Sequence, residues 1–387
     1  FVLINWVLLQ YSFFFVLSFI QQFHLNVCYN LDFNMSTSMD LQPYTKLSQP
    51  YIQTSLTEVT NILPTKPPCR IFFKNELEQP SGSFKLRGIG HLVHKSIENA
   101  LKNHLNKTIH VFASSGGNAG LAAAYLAQFY KVKCTVVLPI ISKPVVQEKL
   151  KSYGARIVLF GNTINEADQH LKNLMSSIDL DSIYPVYCHP FNNPLIWNGH
   201  SSLVDEVSQQ LDSKDRKLLK GMVCSFGGGG LYNGIYQGMV KNQIRGDILL
   251  IETLQAPTLT QSLEADEVIT LKSVNSLATS LACSYTTEQS LKYYKDQSLV
   301  KSQVELIDDI YSLRACVAFE KCFGKVVEPA CGAAMAVVYN KIDLLYKNFK
   351  YLQPEDIVVI VVCGGSCTTG SDLKGFEKMI QKSEIKL

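Results

Sequence analysis

No Cys-x-x-Cys pair and no His/Cys grouping at zinc-ligand spacing occurs in the sequence, although it holds 11 cysteines in 387 residues. That excludes the common structural zinc modules. The cysteine count is odd, and Cys134, Cys224 and Cys363 sit inside apolar runs. Buried, reduced thiols in a cytoplasmic protein are therefore expected, and a disulfide framework is not. An excess of one charge sign is missing as well: 36 Lys and Arg against 33 Asp and Glu leave a net charge of +3, without a long basic run. Nothing in that balance attracts nucleic acid. Repeats and low-complexity tracts are absent, as are a P-loop Gly-Lys-Ser/Thr and a clean G-x-G-x-x-G.

What is present is an ordinary globular balance, 47% hydrophobic and 18% charged, on a chain long enough for two domains. The N-terminus departs from it. Phe1 to Ile20 is almost wholly apolar, broken mainly by Asn5, Gln10, Tyr11 and Ser12, and matches the roughly 20 residues that cross a bilayer. It lacks the basic region of a signal peptide and the flanking Lys or Arg that would orient an anchor. Met35-Ser36-Thr37-Ser38 reads as the true start, leaving 353 residues (387 − 34). Residues 1–40 are expected to be an extension outside the fold, and a membrane association is expected only if residues 1–20 belong to the native protein.

Beyond residue 41, short β-branched runs alternate with helical patterns. Ile71-Phe73, His110-Ala113, Cys134-Leu138, Arg156-Phe160, Gly221-Ser225, Ile248-Glu252 and Ile357-Val362 read as strands. Gly120-Tyr130, Val145-Tyr153, Ile164-Ser176 and Leu231-Lys241 read as helices. This rhythm predicts an α/β protein with two open parallel-sheet domains. A small domain is expected over residues 80–190, inserted into a large cofactor-binding domain of residues 41–79 plus 191–387.

Three glycine-bearing loops carry the chemistry. In Pro80-Ser81-Gly82-Ser83-Phe84-Lys85-Leu86-Arg87-Gly88, a lysine stands in a permissive turn beside an aromatic ring. Gly227-Gly228-Gly229-Gly230 follows a strand and precedes a helix, so successive bare backbone N–H groups can wrap a phosphate. A tight turn needs one or two glycines, not four. Ser114-Ser115-Gly116-Gly117-Asn118-Ala119-Gly120 joins strand to helix in the same way and suits a carboxylate, with more polar groups than one N-cap explains. An amine nucleophile between two anion cradles points to a Schiff base with a phosphorylated aldehyde. Cys363-Gly364-Gly365-Ser366 ends an apolar strand and could set a thiol beside a heteroaromatic nitrogen, although a buried cysteine there is commonplace. Glu252 reads equally well as a carboxylate facing an ion or as a loop cap.

With Pro190-Phe191-Asn192-Asn193-Pro194-Leu195-Ile196-Trp197-Asn198-Gly199-His200 and Val327-Glu328-Pro329-Ala330-Cys331-Gly332-Ala333-Ala334, these loops closely resemble the eukaryotic L-serine dehydratase/L-threonine deaminase family. Its members are pyridoxal 5'-phosphate (PLP) enzymes of the tryptophan-synthase-β-like fold, fold type II. The resemblance runs from about residue 41 to the C-terminus. It implies that Lys85 bonds the cofactor aldehyde and Phe84 packs on the ring. Asn118 would meet the ring hydroxyl, Gly227, Gly228, Gly229, Gly230 and Leu231 the phosphate, and Cys363 the ring nitrogen. Ser115, Gly116 and Asn118 would receive the substrate carboxylate. A monovalent cation, potassium by resemblance, would sit at Gly227, Glu252, Ala256, Leu281 and Cys283, with only Glu252 acting through its side chain. A cytoplasmic homodimer without a regulatory domain is implied.

The activity implied is β-elimination of L-serine to pyruvate and ammonia, and of L-threonine to 2-oxobutanoate and ammonia. Serine racemases carry an acid–base serine at the position of Gly116, so racemisation is not expected here. Cysteine synthases typically read Asn-Pro-x-x-Ser-x-Lys-Asp-Arg, which Ser83-Phe84-Lys85-Leu86-Arg87 does not match. A β-replacement lyase of the same fold and a non-catalytic binding relative remain the alternatives.

Overall fold

The computed structural model describes residues 48–384. The apolar stretch at residues 1–20 and the start read at Met35 lie outside the described residues.

Among the described residues, ten strands form two sheets. The first, in the order β1-β2-β10-β7-β8-β9, contains β1 (Leu56–Glu58), β2 (Arg70–Asn75), β7 (Leu219–Ser225), β8 (Gly246–Thr253), β9 (Val300–Ile307) and β10 (Ile357–Val362). All its pairings are parallel except β1 with β2. The second, all parallel, has the order β5-β4-β3-β6, from β3 (Thr108–Ala113), β4 (Lys133–Leu138), β5 (Arg156–Leu159) and β6 (Ile183–Cys188). Each strand read from sequence is found, and the fold is α/β with parallel sheet.

The strands follow from their sequences. β10 is an unbroken Ile-Val-Val-Ile-Val-Val run, buried at all six positions between β2 and β7. Such runs belong to strands covered on both faces, and each buried aliphatic side chain contributes about 1.5–3 kcal/mol. Helix Pro329–Tyr339, buried at every residue, packs on the same sheet. Three strands were not read from sequence: β1, only three residues long, β6 and β9. β6 contains Pro185, which cannot donate to a ladder and is tolerated because β6 lies at a sheet edge. β9, Val-Lys-Ser-Gln-Val-Glu-Leu-Ile, is polar because it forms the other sheet's edge.

The consequence for function is directional. In parallel sheets every strand delivers its following loop to the same end, where helix N-termini gather. The loops after β2, β3, β6, β7 and β10 are those that carry Lys85, Ser114–Asn118, His189–Phe191, the tetraglycine and Cys363.

Candidate active site

Helix Lys85–Asn103 begins at the lysine itself. The loop before it is stitched to the loop after β10. Phe84 N–H donates to the Cys363 carbonyl at 3.2 Å, Gly365 N–H to the Gly82 carbonyl at 2.9 Å, and Ser366 Oγ to the Ser81 carbonyl at 2.9 Å. These bonds hold the lysine loop against the cysteine loop, 278 positions apart in sequence (363 − 85). Lys85 Nζ donates to the Pro190 carbonyl at 2.6 Å and lies 5.0 Å from the Phe84 ring centroid. Burial pulls its pKa below that of ordinary lysine, against the attraction of nearby Cys283, Glu328 and Cys363. A lysine so placed is more readily a free amine, hence a nucleophile and a base. The buried His200 ring backs Phe84 at 5.0 Å between centroids.

The two middle glycines of the run have no room for side chains. A Cβ on Gly228 would stand 2.4 Å from the Phe191 ring. Gly229 adopts φ +89°, and a Cβ there would meet Ser290 Oγ at 2.1 Å. Helix Gly230–Lys241 starts within the run. Its first turn leaves backbone N–H groups without helical partners, together with the positive end of the helix dipole. The arrangement suits a phosphate dianion.

In the loop after β3, Gly117 N–H donates to Ser115 Oγ at 3.2 Å, which leaves that hydroxyl's proton free to donate. Asn118 opens helix Asn118–Phe129 and is buried. Its Oδ1 accepts from Ser366 N–H at 3.0 Å, and its Nδ2 donates to Glu328 Oε1 at 2.6 Å. One N–H of the amide is left, facing Ser280 Oγ at a distant 3.5 Å. The side chain can therefore serve a single further acceptor, and the main-chain N–H of Asn118 is a separate donor. The sequence pattern assigns Glu328 no role. Burial pushes its pKa up to about 7, opposed by bonds from Ser280 and Asn118.

Cys363 is buried beside Cys331. The hydrogen bond between these thiols, with burial, raises the Cys363 pKa well above the usual value, so the group is a neutral thiol. All ten cysteines among the described residues are free.

A single cavity of about 640 Å³ gathers Phe84, Lys85, Ser115, Gly116, Asn118, Gly227, Gly228, Gly229, Gly230, Leu231, Leu281, Cys283, Glu328 and Cys363 along its wall. That volume lies within the usual range for small-molecule sites. Glu252 and Ala256 are not among its lining. The Glu252 carboxylate accepts from Leu259 N–H at 2.6 Å, Thr260 N–H at 2.9 Å and Thr260 Oγ1 at 2.7 Å, and so caps helix Thr258–Glu264. Here the structure favours the loop-cap reading over the ion-facing one. The Cys283 carbonyl accepts from Thr258 Oγ1 at 2.7 Å, and the Leu281 carbonyl from Cys283 N–H at 2.7 Å. No group of three or more His, Cys, Asp or Glu placed to hold a metal occurs among the described residues.

A family model described as "Pyridoxal-phosphate dependent enzyme" matches residues 47–364. The chain belongs to this family. Over 319 residues this PLP enzyme is 41% identical to the catabolic L-serine/threonine dehydratase of Saccharomyces cerevisiae, covering 80% of the chain and 87% of that protein. It is 34% identical over 311 residues to the L-serine dehydratase/L-threonine deaminase of Bos taurus, covering 80% of the chain and 90% of that protein. Among solved structures, a fungal L-serine ammonia-lyase from Rhizomucor miehei superposes with a TM-score of 0.76 at 26% identity, over 86% of this chain and 99% of that one.

The cavity fits the family's cofactor on its own chemistry. A lysine of lowered pKa is available to an aldehyde, and a side-chain-free cradle at a helix N-terminus suits a phosphate. An oriented amide N–H at Asn118 suits a ring oxygen, and a neutral thiol at Cys363 suits an uncharged ring nitrogen. No helix among the described residues of this PLP enzyme is long and apolar enough to cross a membrane.

Proposed function

We propose that the protein is an L-serine/L-threonine ammonia-lyase, which releases ammonia from L-serine to give pyruvate and from L-threonine to give 2-oxobutanoate. The observation that carries this reading is the convergence of Lys85, the tetraglycine and the Ser115–Asn118 loop on one cavity. When bound, pyridoxal phosphate supplies an electron sink for the pair left when the Cα proton departs. Lys85 Nζ takes that proton; burial favours its free-amine form, and the Pro190 carbonyl orients it. Ser115 Oγ and the N–H groups opening helix Asn118–Phe129 hold the substrate carboxylate, leaving the Asn118 side chain to the ring oxygen. Gly116 offers no group to return a proton on the other face, which keeps the reaction on elimination. The neutral Cys363 thiol leaves the ring nitrogen uncharged, a milder sink that disfavours transamination.

To the same proposal belong a small domain of residues 80–190, a homodimer in the cytoplasm, and potassium held by backbone carbonyls of Gly227, Ala256, Leu281 and Cys283. Glu252 supports that loop by capping its helix. Potassium is tested by turnover with potassium against a bulky organic cation, the dimer by light scattering. The activity is tested by adding L-serine alone to the holoenzyme: keto acid should form without an added thiol, and Lys85→Ala should abolish it. A requirement for thiol would replace this reading with β-replacement.

A further inference from the structure

The cavity wall also carries His189 and Tyr285, for which the mechanism above has no use. His189 directly follows β6, and Tyr285 precedes helix Glu288–Lys295. Nδ1 of His189 receives two backbone N–H groups, from Asn192 at 2.8 Å and Phe191 at 3.2 Å. A ring nitrogen that accepts carries no proton, so the proton of the neutral imidazole sits on Nε2. Burial keeps the ring neutral, pulling its pKa down to about 4.

Nε2 lies 3.0 Å from the Tyr285 hydroxyl. The N–H donates there, and the phenol oxygen accepts. That is the one hydrogen bond of Tyr285 among the described residues, so its hydroxyl proton is left for the cavity. Burial raises the Tyr285 pKa, and the hydroxyl keeps its proton. The polarity cannot reverse, because both donors to Nδ1 are main-chain amides. Phe191 clamps both rings, at 4.6 Å from His189 and 5.4 Å from Tyr285.

Asp168, on the same wall, is not a competing free group: it accepts from Ser114 Oγ at 2.5 Å, Tyr187 at 2.6 Å and Lys172 at 2.7 Å. A hydroxyamino acid brings two kinds of oxygen into the cavity. Its carboxylate is matched by the Ser115–Asn118 loop, which leaves the side-chain oxygen in need of a donor.

We propose that Tyr285 donates a hydrogen bond to the side-chain oxygen of the hydroxyamino acid, and that His189 is the positioning residue that keeps Tyr285 a donor. The bond strengthens as the oxygen gathers charge on leaving, which is where a fixed donor helps most. This rests on the elimination reading above.

The test compares the holoenzyme with Tyr285→Phe, His189→Leu and His189→Asn. Steady-state turnover of L-serine is measured beside the dissociation constant of L-alanine, a probe that lacks the side-chain oxygen, followed through the cofactor absorbance. Tyr285→Phe and His189→Leu should each lower kcat/KM for L-serine about 10-fold or more while leaving L-alanine binding within about twofold (under 0.5 kcal/mol). His189→Asn, whose amide can both accept from the main chain and donate to Tyr285, should recover part of the loss. Equal weakening of L-alanine would assign the contact to the carboxylate and overturn the proposal, as would unchanged kcat/KM in Tyr285→Phe. A wild-type holoenzyme that makes no keto acid from serine would overturn the elimination reading itself, whatever the variants do.

Discussion

At Asn118 the direction of one amide decides what the cavity offers to a ring oxygen. Ser366 N–H and Glu328 fix that direction from opposite ends. Glu328→Ala removes one of them and should weaken cofactor binding about 10-fold or more, since a bond to a charged acceptor is worth about 1.5–3 kcal/mol. Glu328→Gln keeps an acceptor oxygen and should bind within about threefold of wild type (about 0.7 kcal/mol). The pKa of Glu328 is raised to about 7, so the carboxylate, the better acceptor, predominates above that pH and is lost below it. Cofactor affinity from equilibrium titration should therefore fall as pH drops through 7 in wild type, and this fall should be absent in Glu328→Gln. Gly229→Ala must place a side chain at φ +89° against Ser290 Oγ. Strain of about 1–3 kcal/mol should appear in the same titration as weaker binding.

These two positions differ in how visible they were. Four consecutive glycines announce a cradle because nothing else requires so many. Glu328 stood inside a recognised motif, yet its partner is 210 positions away, and no local pattern links them. Glu252 presents the opposite case: a lone carboxylate after a strand reads as ion ligand or cap with equal ease. The cap becomes visible only when the fold brings the main-chain groups of Leu259 and Thr260 to the carboxylate.

Among the elements, apolar strands were legible because burial on both faces demands uniform side chains, as in β10. Three of the four edge strands were not: β1 is only three residues long, β9 is polar and β6 holds a proline, and an edge position permits all three. The helix that presents Lys85 owes its seating to a buried cluster that spacing does not reveal. Arg87 bonds Glu76 at 2.7 Å and Glu206 at 2.6 Å, and Lys74 bonds Glu206 at 2.6 Å, tying β2, helix Lys85–Asn103 and helix Pro194–Gln210 together. Arg87→Met would leave the buried Glu76 carboxylate without a cationic partner and should cost about 3–5 kcal/mol. Arg70 pairs with Glu58 and Asp215 near the surface, and Arg70→Met should cost about 1 kcal/mol or less. Urea unfolding of the two variants checks the contrast; equal losses would remove the special role of the Arg87 cluster.

Over the whole described chain, two largely parallel sheets direct their loops to one cavity, and the residues gathered there come from positions as far apart as 84 and 367. No segment of the chain holds the site alone. The proposed function requires this cavity to eliminate rather than replace, and to do so from one face. The most direct measurement supplies the holoenzyme with L-serine and nothing else, and follows pyruvate, ammonia and D-serine together. Elimination from one face should give pyruvate and ammonia in equal amounts, with no D-serine above the uncatalysed background because Gly116 carries no acid. Absence of keto acid, its appearance only with an added thiol, or accumulation of D-serine would contradict it.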